Sequence, residues 1–202
     1  MKLYYSPGAC SLSPHIALYE SGLPFQAVLA STRTHKLQDG TDFYTINPKG
    51  YVPLLELDDG TRLAEGPAIV QWIADQVPDK QLAPAAGTLE RYRLQEWLTF
   101  IGTEIHKQFS PLFNPAMPEE AKQLFTQKIL DRLAFVDRHL AQRDYLLGSR
   151  FSVADGYLYT VSRWAVALKL SISDFTHLAA FMARMAARPA VQQAVKAEGL
   201  PG

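Results

Sequence analysis

The chain has one cysteine in 202 residues, so no internal disulfide can form and nothing points to an oxidising compartment. It has no excess of either charge: Lys plus Arg is 20 and Asp plus Glu is 20, a formal net charge of zero. That balance gives no overall pull toward nucleic acid or anionic lipid. No apolar run approaches the roughly 20 residues of a membrane span. The opening Met1-Lys2-Leu3-Tyr4-Tyr5 turns polar at once and does not read as a signal peptide. A cytoplasmic protein with no membrane and no nucleic-acid partner is expected. The 5 histidines are scattered, without the paired Cys/His spacing of zinc sites, so no metal is expected. A Gly-rich phosphate loop and a G-x-S-x-G nucleophile elbow are also missing. There is no repeat and no low-complexity tract.

What is present divides into two patterns. Residues 1–80 alternate strands and helices. Leu3-Tyr4-Tyr5 reads as a strand, and Ser13-Pro14 as an N-cap with proline at the first helical position, the helix stopping at Ser21-Gly22. Phe25–Leu29 is a second strand. Residues 31–50 are polar and broken by Gly40, Asn47-Pro48 and Gly50. Pro53–Leu57 and Thr61–Ala64 pair across an Asp58-Asp59-Gly60 turn. Glu65-Gly66-Pro67 opens a helix with Ile69, Val70, Ile73 and Val77 on one face. Residues 81–88 have the composition of a linker. From 89 to 202 only helical spacing remains: helices over 89–113 and from Pro118 to about Arg143, then others starting at Ser152, near Ser173 and near Pro189. Ser152 and Asp155 have the spacing of a capping box. Strands with helices first, then helices alone, imply two domains.

Three short motifs in the first domain can carry chemistry, and each has a plain structural alternative. Cys10 follows the first strand at a helix start, where backbone N–H groups and the helix dipole can lower a thiol pKa. Otherwise it is a small buried hydrophobe, as most free cysteines are. Serine at position 13 excludes a C-x-x-C disulfide cycle, while a mixed disulfide with a small thiol stays open. Val52-Pro53 is either an ordinary strand start or a cis bond that turns Val52 toward a ligand. At Glu65-Gly66, helix N–H groups can hold a ligand carboxylate and Glu65 a ligand ammonium. The alternative is a helix start with a favourable acidic residue. On the 89–113 helix, Leu94, Leu98, Ile101 and Ile105 form an apolar stripe. Thr99, Thr103 and His106 share another face, roughly 130–150° away for an ideal α-helix.

These motifs, in order along nearly the whole chain, resemble the bacterial beta class of cytosolic glutathione transferases. The resemblance rests on Tyr4–Ser13 (YYSPGACSLS), Ile46–Gly50 (INPKG), Glu65–Gln71 (EGPAIVQ), His106-Lys107 and Phe151–Asp155 (FSVAD). It implies an α+β thioredoxin-like N-terminal domain, an all-α helical bundle domain, a homodimer, and glutathione as co-substrate in the interdomain cleft. Cys10 and His106 are then the catalytic pair. Ser11, His35, Lys36, Val52, Pro53, Glu65, Gly66, Thr99, Thr103, Glu104 and Lys107 are the glutathione contacts, Thr103 and Glu104 serving the partner subunit. Phe109, Phe113 and Trp164 are expected to line the electrophile site. The implied activity is conjugation of the glutathione thiolate to small apolar electrophiles. Peroxidase, thiol-transfer or dehalogenase chemistry through Cys10 stays open, and a non-catalytic carrier of glutathione or apolar ligands is the rival. The chain departs from its relatives at His35, where lysine is usual, and at Thr99, where asparagine is common.

Overall fold

A computed structural model describes residues 1–201. It separates into two compact units, 1–83 joined by the chain from Ala186 onward, and Pro84–Met185. The break between Ala83 and Pro84 falls inside the linker composition of 81–88.

The first unit is built on a four-stranded mixed sheet in the order β2-β1-β3-β4. The strands are β1 (Lys2–Tyr5), β2 (Gln26–Leu29), β3 (Leu54–Glu56) and β4 (Arg62–Ala64). β1 runs parallel to β2, the two being joined through helix α1 (Leu12–Ser21), and antiparallel to β3. Strand alternation sends Leu3 and its partner Leu55 to one face, where both are fully buried. Tyr4 and Leu54 point the other way, into a cluster with Phe43, Ala30 and Val52. Helix α2 (Gly66–Gln76) buries Ile69, Val70, Ile73 and Ala74 and packs against α1. This is the thioredoxin-like arrangement the resemblance implies.

Helix α8 (Pro189–Ala197) belongs to this unit, although a reading of 89–202 as one helical domain places it elsewhere. Its apolar residues Ala190, Val191, Ala194 and Val195 are buried, and it packs on α1. Arg188 also grips Glu20 on α1 through two hydrogen bonds, 2.7 and 3.0 Å.

The second unit holds α3 (Leu89–Phe100), α4 (Lys107–Phe113), α5 (Glu119–Leu140), α6 (Val153–Ala167) and α7 (Thr176–Ala186). The expected single helix over 89–113 changes type in its middle: Ile101–His106 is π-helical. A π-turn closes from i to i+5, so each residue advances the helix by less than the 100° of an α-helix. The 100° spacing does not apply there, yet Leu94, Leu98, Ile101 and Ile105 are all buried while Thr99 and Thr103 are exposed and His106 half-buried. Helix α6 starts at the expected capping box, with the Asp155 carboxylate accepting from the Ser152 N–H at 2.7 Å. No described helix is long and apolar enough to cross a membrane.

Candidate active site

The turn between β1 and α1 places Cys10. Helix α1 begins at Leu12, two residues earlier than the Ser13-Pro14 signal implies, with Ser11 at the N-cap. The Ser11 hydroxyl is committed within the turn: it accepts from the Ser6 N–H at 3.1 Å and donates to the Ser6 carbonyl at 3.2 Å. Ser11 is fully buried. Its side chain thus closes the Cys10 turn. A second clamp acts on the same turn, where the Gly8 N–H donates to Glu198 Oε2 at 2.8 Å.

Cys10 is half-buried, and its Sγ donates to the Val52 carbonyl at 3.3 Å. Burial pushes the thiol up to about 11. The backbone N–H groups of Cys10 and Ser11 pull the other way but do not offset it, and the carboxylates of Glu65 and Glu198 reinforce the rise. The helix start therefore does not deliver the thiolate it can favour in principle. At neutral pH Cys10 is a thiol, a hydrogen-bond donor beside the Val52 backbone.

The Val52-Pro53 peptide is cis, and both residues are buried. Glu65, the N-cap of α2, adopts φ 69°, a left-handed backbone rare for a residue with a side chain. Its carbonyl takes the N–H groups of Ala68 and Ile69, each at 3.0 Å, and Pro67 has no N–H. Of the first N–H groups of α2, only that of Gly66 stays available, where the sequence suggested several. The Glu65 side chain is exposed and pairs with Lys49 Nζ at 2.8 Å. Lys49 is a member of this corner that sequence reasoning missed; the Asn-Pro-Lys-Gly turn preceding Val52 was its only signal.

His35 is half-buried, its Nδ1 3.1 Å from the Gly50 carbonyl and its ring on that of Tyr44 with centroids 4.7 Å apart. Lys36 is exposed. Cys10, Val52, Pro53, Gly66, Glu65 and His35 thus belong to one unit and are tied together through the 47–53 segment.

The second unit carries its own cluster. His106 ends the π-helical segment, with its Nδ1 2.6 Å from the Tyr157 hydroxyl and its ring 4.9 Å from that of Trp164. Trp164 meets Phe109 and Phe113 edge-on at 5.5 and 5.7 Å. The three aromatics chosen from sequence character thus meet one another, and Trp164 joins them to His106. Phe109, however, is fully buried, so it backs Trp164 and Phe113 and presents no face of its own. Phe113 is 53% exposed. Thr103 donates to the Thr99 carbonyl at 3.0 Å, and Glu104 pairs with Arg132 at 3.0 Å. Thr99 and Lys107 are exposed. Tyr157 was missed in the sequence: it lies in a run over 151–162 that is buried throughout and has no local mark of a polar role. Among the described residues, no group of three His, Cys, Asp or Glu could hold a metal ion.

Comparison with known proteins agrees with this geometry. Residues 8–76 match the model of the glutathione S-transferase N-terminal domain, and residues 100–189 that of the C-terminal domain. The chain is 50% identical to glutathione S-transferase GstA of Escherichia coli O157:H7, covering 99% of this chain and 100% of that one. A sphingomonad glutathione S-transferase solved with glutathione superposes with a TM-score of 0.96 at 49% identity, covering 100% of both chains. The bacterial beta-class glutathione S-transferase of Sphingomonas chungbukensis gives the same TM-score, identity and coverage. The chain belongs to the glutathione S-transferase family, and its likeness is to the family's bacterial beta class.

Proposed function

We propose that this transferase joins the sulfur of glutathione to small apolar electrophiles, with Cys10 acting as a hydrogen-bond donor to the glutathione thiolate. In the reaction the glutathione S–H gives up its proton, a sulfur–carbon bond forms, and a leaving group such as halide departs with its electron pair. The observation that carries the role of Cys10 is its Sγ donating at 3.3 Å to Val52, from a thiol pushed up to about 11. A neutral thiol can turn its hydrogen from the Val52 carbonyl to a ligand sulfur. It is a poor nucleophile, because the thiolate is the reactive form. Donation is therefore favoured over a mixed-disulfide cycle.

In this reading the Val52 backbone pairs with the tripeptide, next to Pro53. The Gly66 N–H and Glu65 take its γ-glutamyl end, and His35 and Lys36 its terminal carboxylate. His106 is the second proposed catalytic residue, Thr99 and Lys107 are further proposed glutathione contacts, and Trp164 and Phe113 are the proposed electrophile contacts. The domain roles follow: 1–80 binds glutathione, and the helical part supplies the electrophile site. A second copy of the chain is the proposed partner, with Thr103 and Glu104 reaching toward its site. The cytoplasm is the proposed location.

The test follows the bound glutathione thiol by its thiolate absorbance across pH, with conjugation to a chloronitrobenzene run alongside. A charge-assisted hydrogen bond contributes about 1.5–3 kcal/mol, so Cys10→Ala is expected to raise the thiol pKa of bound glutathione by at least about one unit. An unchanged titration in Cys10→Ala would remove Cys10 from sulfur activation.

Tyr157 supplies a further expectation. Its hydroxyl bonds Nδ1 of His106 and so fixes the ring's orientation; Tyr157→Phe should lower kcat about fivefold, the loss of roughly one neutral hydrogen bond. KM for glutathione should stay near wild type. A change in KM alone, read from steady-state kinetics, would make Tyr157 part of ligand binding instead.

A further inference from the structure

The loop after β2 holds His35 in an unusual way. Its backbone lies in the left-handed region at φ 52°, with its N–H on the Ser31 carbonyl at 2.9 Å and its carbonyl taking the Phe43 N–H at 2.8 Å. The ring lies against that of Tyr44 at a 32° tilt and meets Gly50, where a Cβ would collide with the Tyr44 ring and come within 3.1 Å of His35 Nδ1. A bare glycine backbone is what lets the imidazole sit there.

Nδ1 lies 3.1 Å from the Gly50 carbonyl oxygen. A carbonyl only accepts, so Nδ1 carries a hydrogen whether the ring is neutral or charged. Nε2 is left without a partner among the described residues. In the neutral ring it is a bare lone pair, which repels an anion. In the imidazolium it is a charged N–H donor.

We infer that His35 holds the terminal carboxylate of glutathione only when its ring takes up a second proton at Nε2, making ligand affinity in this chain depend on pH through His35. The inference rests on the glutathione reading above, which puts the terminal carboxylate at His35; Gly50, which the ring meets, lies two residues before Val52. The sign follows from the chemistry. The donor exists only in the protonated ring, so it is present on the acid side and is lost as pH rises. The other ionisable groups around the ring are Tyr44 beneath it, Lys36 next in sequence, Asp42 capping the 43–45 turn, and the Lys49–Glu65 pair. A lysine at this position keeps its charge throughout, so the histidine makes carboxylate recognition conditional.

The experiment is calorimetric titration with S-methylglutathione, whose blocked sulfur cannot ionise, at about pH 5.5 and about pH 8, on either side of the imidazole range. The dissociation constant of the native protein is expected to rise about tenfold between them, the loss of a charge-assisted hydrogen bond. His35→Lys is expected to remove that dependence. S-methylglutathione with its glycine carboxylate amidated, bound to the native protein, is expected to show none either. This second arm does not depend on the variant folding. Tight binding that is flat with pH, or an equal pH effect with the amide, overturns the inference and leaves the glutathione reading standing. No binding of S-methylglutathione at either pH overturns both.

Discussion

Asp155→Ala should be among the most damaging single substitutions in the chain, lowering stability by about 3–5 kcal/mol. Asp155 is fully buried at the start of α6, and its carboxylate takes the Ser152 N–H at 2.7 Å, the Ser152 hydroxyl at 2.8 Å and the Leu146 N–H at 2.8 Å. Alanine leaves two buried backbone N–H groups without an acceptor. Hydrogen bonds to a charged group contribute about 1.5–3 kcal/mol each, and a lost cap alone costs about 0.5–2 kcal/mol. The bonds share one carboxylate, so their losses do not add in full. Leu146 is pinned from its other side as well, its carbonyl 2.9 Å from His139 Nε2, so the substitution frees one half of a two-sided clamp on the 141–152 connection. For a chain of this size the expected fall in Tm is roughly 10 °C. Ser152→Ala, which keeps the Ser152 and Leu146 N–H bonds, should cost only about 1 kcal/mol. Thermal unfolding of the two variants beside the native protein decides the matter. Equal losses would mean that the Ser152 hydroxyl, and not the Asp155 carboxylate, holds the turn.

This capping box was legible in the sequence because a helix start is a local signal: two side chains three residues apart satisfy the same end of one helix. The strand alternation of Leu3-Tyr4-Tyr5, the Asp-Asp-Gly turn and the apolar face of α2 were legible for the same reason. The π-helical segment was not. Ile101–His106 has ordinary helical residues, and its widened turn comes from packing that spacing cannot report. The site divides in the same way. Cys10, Val52 and Glu65 could be singled out because each sits at a break in regular structure. Their states could not be read. The rise of the Cys10 thiol comes from burial by residues distant in sequence, and the left-handed Glu65 leaves a single free N–H at its helix. Nor could the sequence separate Phe109 from Phe113, since exposure depends on which helices cover them.

The contact hardest to foresee joins residues 183 positions apart, and its removal is the second large effect expected. His15 Nδ1 lies 2.9 Å from Glu198 Oε1, both side chains being fully buried. The His15 ring stacks on Tyr19 at 5.3 Å and is crossed edge-on by Phe25 at 5.5 Å. Donation to the carboxylate places a hydrogen on Nδ1. His15 Nε2 has no partner, so in the neutral ring it is left as a lone pair among aromatics, cheaper than an unmet N–H. The other oxygen of Glu198 takes the Gly8 N–H, so one carboxylate at the end of α8 holds both α1 and the turn that carries Cys10. Glu198→Ala strands the His15 and Gly8 donors together in a dry site and is expected to cost about 3–5 kcal/mol. Glu198→Gln keeps the shape and one acceptor oxygen, so it should lose roughly half as much. In urea unfolding, a double-mutant cycle of Glu198→Ala with His15→Ala should show a coupling of at least about 1 kcal/mol. Additive losses would mean that the carboxylate serves Gly8 alone. In that case Glu198→Ala should still move the bound-thiol titration, because the clamped turn is what aims Cys10.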